Sequence, residues 1–252
     1  MIEGAKRYHL LDEIRGFAII CMVFFHGFYL MAEVFGWSFG GTLLAFFTPA
    51  EPFFAAAFVL ISGICCRLSR SNALRGAKLL WVAIGLTIVT YLLQLFGIDG
   101  VVIWFGILHL LSLSMLFYAA TGKVLDKVPW WITIPLCLII FALTFNLENG
   151  YFGIASFSVD LPHALKLNRQ LFPFGITAPG FFSADYFPLL PWLPMFIVGT
   201  VLGKPFEKGT APKIFTKNPV PLFAWCGKKS LIIYLVHQPI LFGIFFLTDK
   251  IF

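Results

Sequence analysis

Long apolar stretches dominate this sequence and constrain what it can fold into. Each is close to the roughly 20 residues that a helix needs to cross a bilayer. Apolar side chains run continuously through these stretches instead of alternating at every second position, which favours helices over barrel strands. The sequence therefore predicts an all-α, polytopic membrane bundle of seven transmembrane helices. The stretches are 16–35, 43–66, 79–97, 101–121, 130–146, 186–203 and 230–248.

The composition excludes the other broad classes of protein. The chain of 252 residues is 60% hydrophobic and 12% charged, whereas soluble domains are about 45–50% apolar and 25% charged. A soluble fold of this size would leave too much apolar surface in water. In addition, 31 Phe and 7 Trp are too many for a disordered chain. We therefore expect nearly all of the chain to lie in a membrane.

The distribution of positive charge predicts the orientation. Fifteen of the 18 Lys and Arg residues fall on the side of the N-terminus, beginning with Lys6, Arg7 and Arg15. An excess of Lys and Arg marks the cytoplasmic side of a membrane protein. We therefore expect a multi-pass protein of the cell membrane with a cytoplasmic N-terminus and an extracytoplasmic C-terminus. The net charge of +6 then reflects insertion and attraction to anionic lipid, and no nucleic-acid partner is expected.

One connection, at 147–185, is unusually long and would lie outside the cell. It mixes ionisable residues with Gly, Pro and aromatic residues. Ordered connections of this length are usually functional, so a lid or binding loop and a plain interfacial loop both remain open. Residues 1–252 are otherwise predicted to form a single transmembrane domain. The five cysteines lie in the spans or on the inner side, and they form no pattern of a disulfide framework or metal site.

Polar residues follow one face of the first predicted helix. Asp12 and Arg15 are three residues apart, so they share a face at the inner end. His26 follows Arg15 by eleven residues, about three turns, which places it about 16 Å farther along the helix on nearly the same side. Ionisable groups at this depth are costly to bury and usually functional. An inner cation and a mid-membrane imidazole are therefore expected along one wall.

Other ionisable residues fall within the predicted spans. These are His109 in the fourth span, His237 in the seventh, and Glu51 between Pro49 and Pro52 in the second. Taken singly, each histidine is compatible with an ordinary interhelical hydrogen bond. Three histidines and a glutamate on four spans favour a shared polar cavity, with Glu51 near its outer mouth.

Several motifs of this chain resemble a known family in the same order along the sequence. Leu11-Asp12-Glu13-Ile14-Arg15-Gly16-Phe17-Ala18 followed by His26 resembles the opening helix of membrane-bound acyltransferases. Further motifs resemble the bacterial branch of the heparan-alpha-glucosaminide N-acetyltransferase catalytic-domain family. They are Ser62-Gly63, Gly106-Ile107-Leu108-His109, Pro188-Leu189-Leu190-Pro191-Trp192 and Ser230-Leu231-Ile232-Ile233-Tyr234-Leu235-Val236-His237-Gln238-Pro239.

The resemblance implies an acyltransferase that uses acetyl-CoA from the cytoplasm as its donor, with no permanently bound cofactor. His26 would act as the base or accept the acetyl group itself, two mechanisms that the sequence does not separate. His109 and His237 would complete the catalytic pocket. Arg15, oriented by Asp12, would bind the CoA phosphates together with Arg67 and the cations that follow it.

The same resemblance bears on the acceptor. Animal lysosomal members of the family carry Asn at the position of His26. An amino sugar or sugar hydroxyl of an envelope glycan is therefore a better expectation than a heparan-derived acceptor, and Glu51 is the candidate substrate contact. The expected partners are membrane lipid, acetyl-CoA and the saccharide, and a homodimer is left open.

One other function uses the same residues. A proton-coupled membrane transporter of a small solute would employ the buried His and Glu side chains as a relay, although the sequence shows no internal repeat of the kind that many transporters contain. A seven-helix retinal protein is disfavoured because the segment 230–248 has no Lys for a Schiff base.

Overall fold

The computed structural model describes residues 7–251. Within that range, seven helical segments are long and apolar enough to cross a membrane. This confirms the predicted all-α, multi-pass bundle. Lys6, one of the cations of the predicted charge pattern, lies outside the described residues. The segments are His9–Val34, Ser38–Arg67, Asn72–Leu95, Ile107–Leu125, Trp130–Asn149, Leu189–Glu207 and Ser230–Ile251.

Eleven α-helices are assigned in the described range, and several are joined into one span. A π-helical turn, Leu30–Val34, extends the first helix, and a 3₁₀ turn, Thr48–Ala50, joins the second to the third. The helices are α1 (His9–Tyr29), α2 (Ser38–Phe47), α3 (Glu51–Arg67), α4 (Asn72–Leu95), α5 (Ile107–Leu125), α6 (Trp130–Thr144), α7 (His163–Lys166), α8 (Leu189–Leu202), α9 (Lys204–Glu207), α10 (Pro221–Lys228) and α11 (Ser230–Ile251).

The helix boundaries differ from the predicted spans where polar residues or glycines intervene. The first helix begins at His9 and the second span at Ser38, earlier than predicted, because a helix continues beyond its apolar part into the interface. The fourth span begins at Ile107 instead of residue 101. Gly97 and Gly100 adopt φ of 88° and 73°, a left-handed conformation that ends α4 and delays α5.

The chain divides into two compact units, with the boundary inside α3. Among the described residues, the first unit comprises 7–61 with 208–251, and the second comprises 62–207. The prediction of a single transmembrane domain stays a prediction.

In the first unit, α1 packs closely against α10 because glycine stands at both contact points. A Cβ atom on Gly16 would overlap the carbonyl oxygen of Phe223, and one on Gly227 would overlap that of Asp12. Small residues of this kind let two helix backbones approach within a membrane. Farther along α1, Gly27 faces Leu241 of α11, so α1 lies between the two C-terminal helices.

The second unit is held by a similar contact between other helices. A Cβ atom on Gly63 of α3 would overlap the carbonyl oxygen of Phe196 in α8. The rings of Phe141 in α6 and Trp192 in α8 lie 5.6 Å apart. Phe196 and Leu110 are completely buried, so they mark the centre of this unit.

The long connection between α6 and α8 contains little regular structure. Near its start, two antiparallel strands of two residues each pair with one another. They are β1 (Tyr151–Phe152) and β2 (Val159–Asp160). The last part runs beside the segment that precedes α5. There, Ala184 N donates to Val102 O at 2.8 Å, and Phe187 N donates to Phe105 O at 3.1 Å. These hydrogen bonds fix the end of the connection to the start of α5.

Candidate active site

The structure places Arg15 and His26 on one uninterrupted helix, as predicted. Both lie within α1, which runs from His9 to Tyr29. Their separation of eleven residues corresponds to about 16 Å along the axis and about 20° around it. A polar face therefore runs from the N-terminal end of α1, which is its predicted inner end, toward its centre. The π-helical turn begins four residues after His26, and such turns are frequent at functional sites.

The first unit brings His26 and His237 together. The two imidazole rings lie 5.1 Å apart between centroids, although the residues are on the first and last spans. His237 is buried, whereas His26 is half-buried. We call these two residues the histidine pair.

Gln238 belongs to the same cluster, and the sequence analysis did not select it as a site residue. Its Nε2 donates to His26 Nδ1 at 3.4 Å, a long hydrogen bond. The motif that contains His237 also contains Gln238, but an amide carries no charge that would mark it as expensive to bury. Pro239 follows directly in α11 and supplies no backbone N–H to the helix.

The hydrogen bonds assign different roles to the nitrogens of the histidine pair. His237 Nδ1 lies 2.7 Å from the backbone oxygen of Tyr234. A carbonyl oxygen only accepts, so this Nδ1 carries the proton and the neutral ring has its lone pair on Nε2. In the assigned amide orientation, His26 Nδ1 accepts from Gln238, which leaves the proton on its Nε2. The pair thus combines a proton acceptor with a proton donor.

At the inner end of α1, Asp12 lies between two arginines. Arg7 Nε and Nη2 donate to its Oδ2 at 3.2 and 3.0 Å, and Arg15 Nη1 lies 3.9 Å from Oδ1. The predicted neighbour of Asp12 was Arg15 alone, and Arg7 is the closer partner. Asp12 therefore holds two guanidinium groups beside each other.

The close packing of α10 adds cations to this end of α1. Lys228 and Lys229 are exposed and directly follow Gly227, which contacts the backbone of Asp12. We call Arg7, Arg15, Lys228 and Lys229 the inner cation cluster, after the predicted orientation. Such a cluster can bind the phosphates of a polyanionic ligand.

His109 occupies a different environment in the second unit, in the first turn of α5. Its Nδ1 accepts from the backbone N–H of Gly106 at 3.2 Å. Its Nε2 lies 3.3 Å from Thr87 Oγ1, which donates to Ile103 O at 2.7 Å. Both ring nitrogens are thus engaged, and the histidine caps the helix. His109 lies in the fourth span, as predicted, but in the first turn of its helix, which begins at Ile107; a catalytic role for His109 stays a prediction.

Arg67 lies in an ion-pair network within the second unit. Its guanidinium forms a two-pronged interaction with Asp126, its Nη1 lies 3.4 Å from Glu207 Oε2, and its Nε donates to Thr200 O at 2.9 Å. Lys204 Nζ also lies 3.3 Å from Asp126. The hydrogen bond from Arg67 keeps the pKa of Asp126 below its ordinary value. The geometry commits Arg67 to carboxylates, and its predicted contact with CoA phosphates stays a prediction.

Glu51 begins α3, directly after the 3₁₀ turn. It is half-buried and stands 13 residues into the second span, near the middle of that helix and not at its outer end. Phe54, one turn later, lies 6.5 Å from the ring of Phe25, the neighbour of His26. Glu51 therefore lies on a segment that packs beside the histidine pair, and its contact with substrate stays a prediction.

Seven helices long and apolar enough to cross a membrane, with a polar centre between the first and the last of them, define this chain as an integral membrane protein. The family model described as "Heparan-alpha-glucosaminide N-acetyltransferase, catalytic" matches residues 7–239. The chain belongs to that family of membrane acetyltransferases, as the motifs predicted. Comparison with curated proteins and with solved structures gave no match.

Proposed function

We propose that this protein transfers an acetyl group from cytoplasmic acetyl-CoA to an amino sugar or sugar hydroxyl of an envelope glycan. One observation carries the proposal: α1 presents Arg15 and His26 on one face, with His237 and Gln238 beside His26. Family membership supports acetyl transfer as the reaction class.

The inner cation cluster is suited to the donor. The phosphates of CoA are anionic, and arginine forms strong charge-assisted hydrogen bonds with phosphate oxygens. Arg15 is half-buried at the foot of the polar face, whereas Arg7 is more exposed, with 55% of its side chain accessible. CoA bound at these cations would extend its flexible thioester arm along α1 toward His26.

The histidine pair is suited to the chemistry. In direct transfer, an imidazole nitrogen removes the proton of the acceptor amine or hydroxyl, whose N or O attacks the thioester carbonyl carbon. The C–S bond breaks, and the proton returns from the imidazole to the departing CoA thiolate. In the two-step alternative, His26 passes its Nε2 proton to His237 as this nitrogen attacks the thioester carbonyl carbon; the C–S bond breaks, and His237 returns the proton to the departing CoA thiolate. The acceptor N or O then attacks the carbonyl carbon of the acetyl-imidazole, the C–N bond to His26 breaks, and the acceptor's proton passes to His26 Nε2.

The proposal includes an orientation. The excess of Lys and Arg in connections on one side supports a cytoplasmic N-terminus. The inner cation cluster then faces the compartment that contains acetyl-CoA, and the connection between α6 and α8 faces the acceptor.

The first experiment is binding of acetyl-CoA to the full chain in nanodiscs. We expect saturable binding that Arg15→Ala weakens about tenfold, since a phosphate contact is worth about 1.4 kcal/mol or more. Lys127→Ala removes an exposed cation from the same predicted side and outside the cluster; this control should bind like the wild type.

Two results would overturn the proposal. The absence of acetyl-CoA binding would exclude this donor. Solute uptake into proteoliposomes without any acetyl transfer would instead assign the histidines to the relay of a transporter.

A further inference from the structure

The connection between α9 and α11, residues 208–229, exposes apolar side chains although it lies outside the seven spans. It contains α10, on which Leu222 is 63% exposed and Trp225 is 57% exposed. Tryptophan is enriched where lipid meets water, because its ring is apolar and its N–H can still reach a polar partner. Water alone is therefore a poor environment for this connection.

The contact between α10 and α1 fixes which face of α10 is exposed. Ala224 and Gly227 are buried, and a Cβ atom on Gly227 would overlap the backbone of Asp12. Leu222 and Trp225 are three residues apart and therefore share a face. With about 3.6 residues per turn, this face is opposite to that of Ala224 and Gly227. The close packing of α10 on α1 thus leaves an apolar surface pointing outward.

The connection meets α1 beside a residue that faces lipid. Phe17 lies in the first span, and its side chain is 51% exposed. The centroid of its ring is 5.8 Å from that of Phe223 in α10. Phe17 is about two turns from the start of α1, so this contact lies near the end of a transmembrane helix. The 3₁₀ turn Lys213–Thr216 also packs against α1, and both parts of the connection therefore lie near the membrane surface.

Positive charge without a counter-charge accompanies this apolar surface. The connection contains five lysines and no Asp or Glu, and all five residues are exposed. No carboxylate in the described range 7–251 forms an ion pair with any of them. By contrast, Lys204, just before the connection, lies 3.3 Å from Asp126. The five are Lys208, Lys213, Lys217, Lys228 and Lys229. We call residues 208–229 the basic segment.

The combination of apolar surface and unpaired lysines matches the surface of an anionic membrane. Helices that lie in the plane of a membrane surface carry Trp and Leu on one face and lysines on the other. Anionic headgroups attract each lysine that lies near them. A soluble polyanion would satisfy the lysines, but it would leave the apolar face of α10 uncovered beside a ring that faces lipid.

We propose that the basic segment binds anionic phospholipid on the side of the membrane that holds the N-terminus, to which six crossings return the chain. Leu222 and Trp225 insert between lipid molecules, and Lys213 and Lys217 bind headgroup phosphates. The two lysines at the end of the segment remain with the inner cation cluster. This interaction goes beyond acetyl transfer and does not depend on it.

The test measures fluorescence quenching of Trp225 in the full chain, in phosphatidylcholine nanodiscs without acetyl-CoA. The nanodiscs contain increasing fractions of phosphatidylglycerol brominated on its acyl chains or, in a second series, of brominated phosphatidylcholine. Subtraction of the signal of Trp225→Phe separates Trp225 from the other six tryptophans. We expect half-maximal quenching at a lower fraction of the brominated phosphatidylglycerol. Lys213→Gln and Lys217→Gln, each measured with and without Trp225→Phe, should raise that fraction about fivefold, the factor that one lysine near the surface contributes.

Lys127→Gln is the matched control, because Lys127 is an exposed cation of another connection on the same predicted side. It should leave the half-maximal fraction at the wild-type value. Equal half-maximal fractions for the two brominated lipids would overturn the proposal, and so would equal effects of Lys127→Gln and Lys213→Gln. Quenching of Trp225 by aqueous iodide and by neither lipid would also overturn it and would leave this face to a water-soluble partner.

A second measurement separates the lipid from the acetyl donor. Added CoA should leave the preference for phosphatidylglycerol unchanged, because Lys213 and Lys217 lie outside the inner cation cluster. Loss of the preference would assign these lysines to the donor and reject the lipid proposal. Lipid binding by a protein that transfers no acetyl group would instead keep the lipid proposal and reject the proposed function.

Discussion

The two units can be compared through one histidine and one arginine in each. The sequence analysis selected all four residues, but their contacts differ between the units. In the first unit, His26 meets a second imidazole and a long amide hydrogen bond. In the second unit, His109 has both ring nitrogens committed to the local backbone and Thr87. Arg15 Nη1 lies 3.9 Å from Asp12 Oδ1, whereas Arg67 donates to the carboxylate of Asp126 from two nitrogens.

We interpret the difference as one between a group available for reaction and a group that stabilises the fold. A side chain whose hydrogen bonds are all made within the fold cannot change partners without breaking the fold. In the histidine pair, the hydrogen bond from Gln238 to His26 is long, at 3.4 Å, so a substrate can replace it at little cost. Burial in a membrane is therefore a weaker sign of function than the state of the hydrogen bonds.

The largest expected effect distinguishes the two kinds of histidine by turnover. His26→Ala should lower the acetyl-transfer rate by about 10²–10⁴-fold, the usual contribution of an acid–base or nucleophilic group. His109→Ala should instead lower stability by about 1–2 kcal/mol, because a helix cap and the partner of Thr87 are lost, while each folded molecule still turns over.

Rates and thermal unfolding in nanodiscs measure these two effects. His163→Ala, on the exposed helix α7, is the control and should change neither quantity. Wild-type turnover in His26→Ala would remove that residue from the mechanism.

The next effect concerns the helix contact that supports the inner cation cluster. Gly16→Ala should destabilise the protein by about 3 kcal/mol, because the added methyl group overlaps backbone that cannot move like a side chain. Gly243→Ala in α11 meets nothing within 4 Å and should be neutral or slightly stabilising. Equal unfolding temperatures for the two variants would show that α1 and α10 are not closely packed.

Removal of the two arginines should also have different effects on the stability of the protein. Arg67→Ala should cost about 2 kcal/mol of stability, since it removes the donor to Thr200 O and leaves the carboxylate of Asp126 with Lys204 as its remaining cation. Arg67→Lys should recover little of this, because an ammonium cannot reproduce the two-pronged geometry. Arg15→Ala should lower the unfolding temperature less than Arg67→Ala does, because its ion pair with Asp12 is longer, at 3.9 Å; a larger decrease for Arg15→Ala would contradict the comparison.

The smallest effect is a dependence of stability on pH. The pKa of Asp126 is lowered in the folded state, chiefly by the hydrogen bond from Arg67. The contribution of Asp126 to the free energy of unfolding is therefore fully present above the pKa of the unfolded state, about 3.9. It is lost as the pH falls through the lower pKa of the folded state. Unfolding temperatures between about pH 5 and pH 3 should decrease less for Asp126→Asn than for the wild type. Parallel decreases would exclude Asp126 as the titrating group.

Much of the fold could be predicted because membrane insertion makes simple demands on composition. The seven spans follow from the length of each apolar stretch, and the boundaries fail where glycine conformation decides them, as at Gly97 and Gly100. The site was predictable in part. His26 and His237 could be selected by the cost of burying them, but their proximity depends on tertiary packing between the first and last spans.

Other features left no usable signal in the sequence. Gln238 is uncharged, and Arg7 looks like one more cation of the N-terminal segment. The hydrogen bonds that join Val102 to Ala184 and Phe105 to Phe187 each connect residues 82 positions apart, and no local pattern predicts such a contact. Arg67 and Arg15 are the same residue type near the inner ends of their helices, so only their contacts distinguish them.

The length of the second span has a consequence for the membrane around this protein. Ser38–Arg67 contains 30 residues, about 45 Å of helix, whereas the hydrocarbon core is about 30 Å thick. The residues before 43 continue into the interface, but the apolar part 43–66 is still about 36 Å long. This part is accommodated by tilt, by a bend at the 3₁₀ turn or by thicker lipid beside it. Each accommodation costs free energy that depends on acyl-chain length. The thickness of the membrane therefore influences the tilt of the helical segment that contains Glu51.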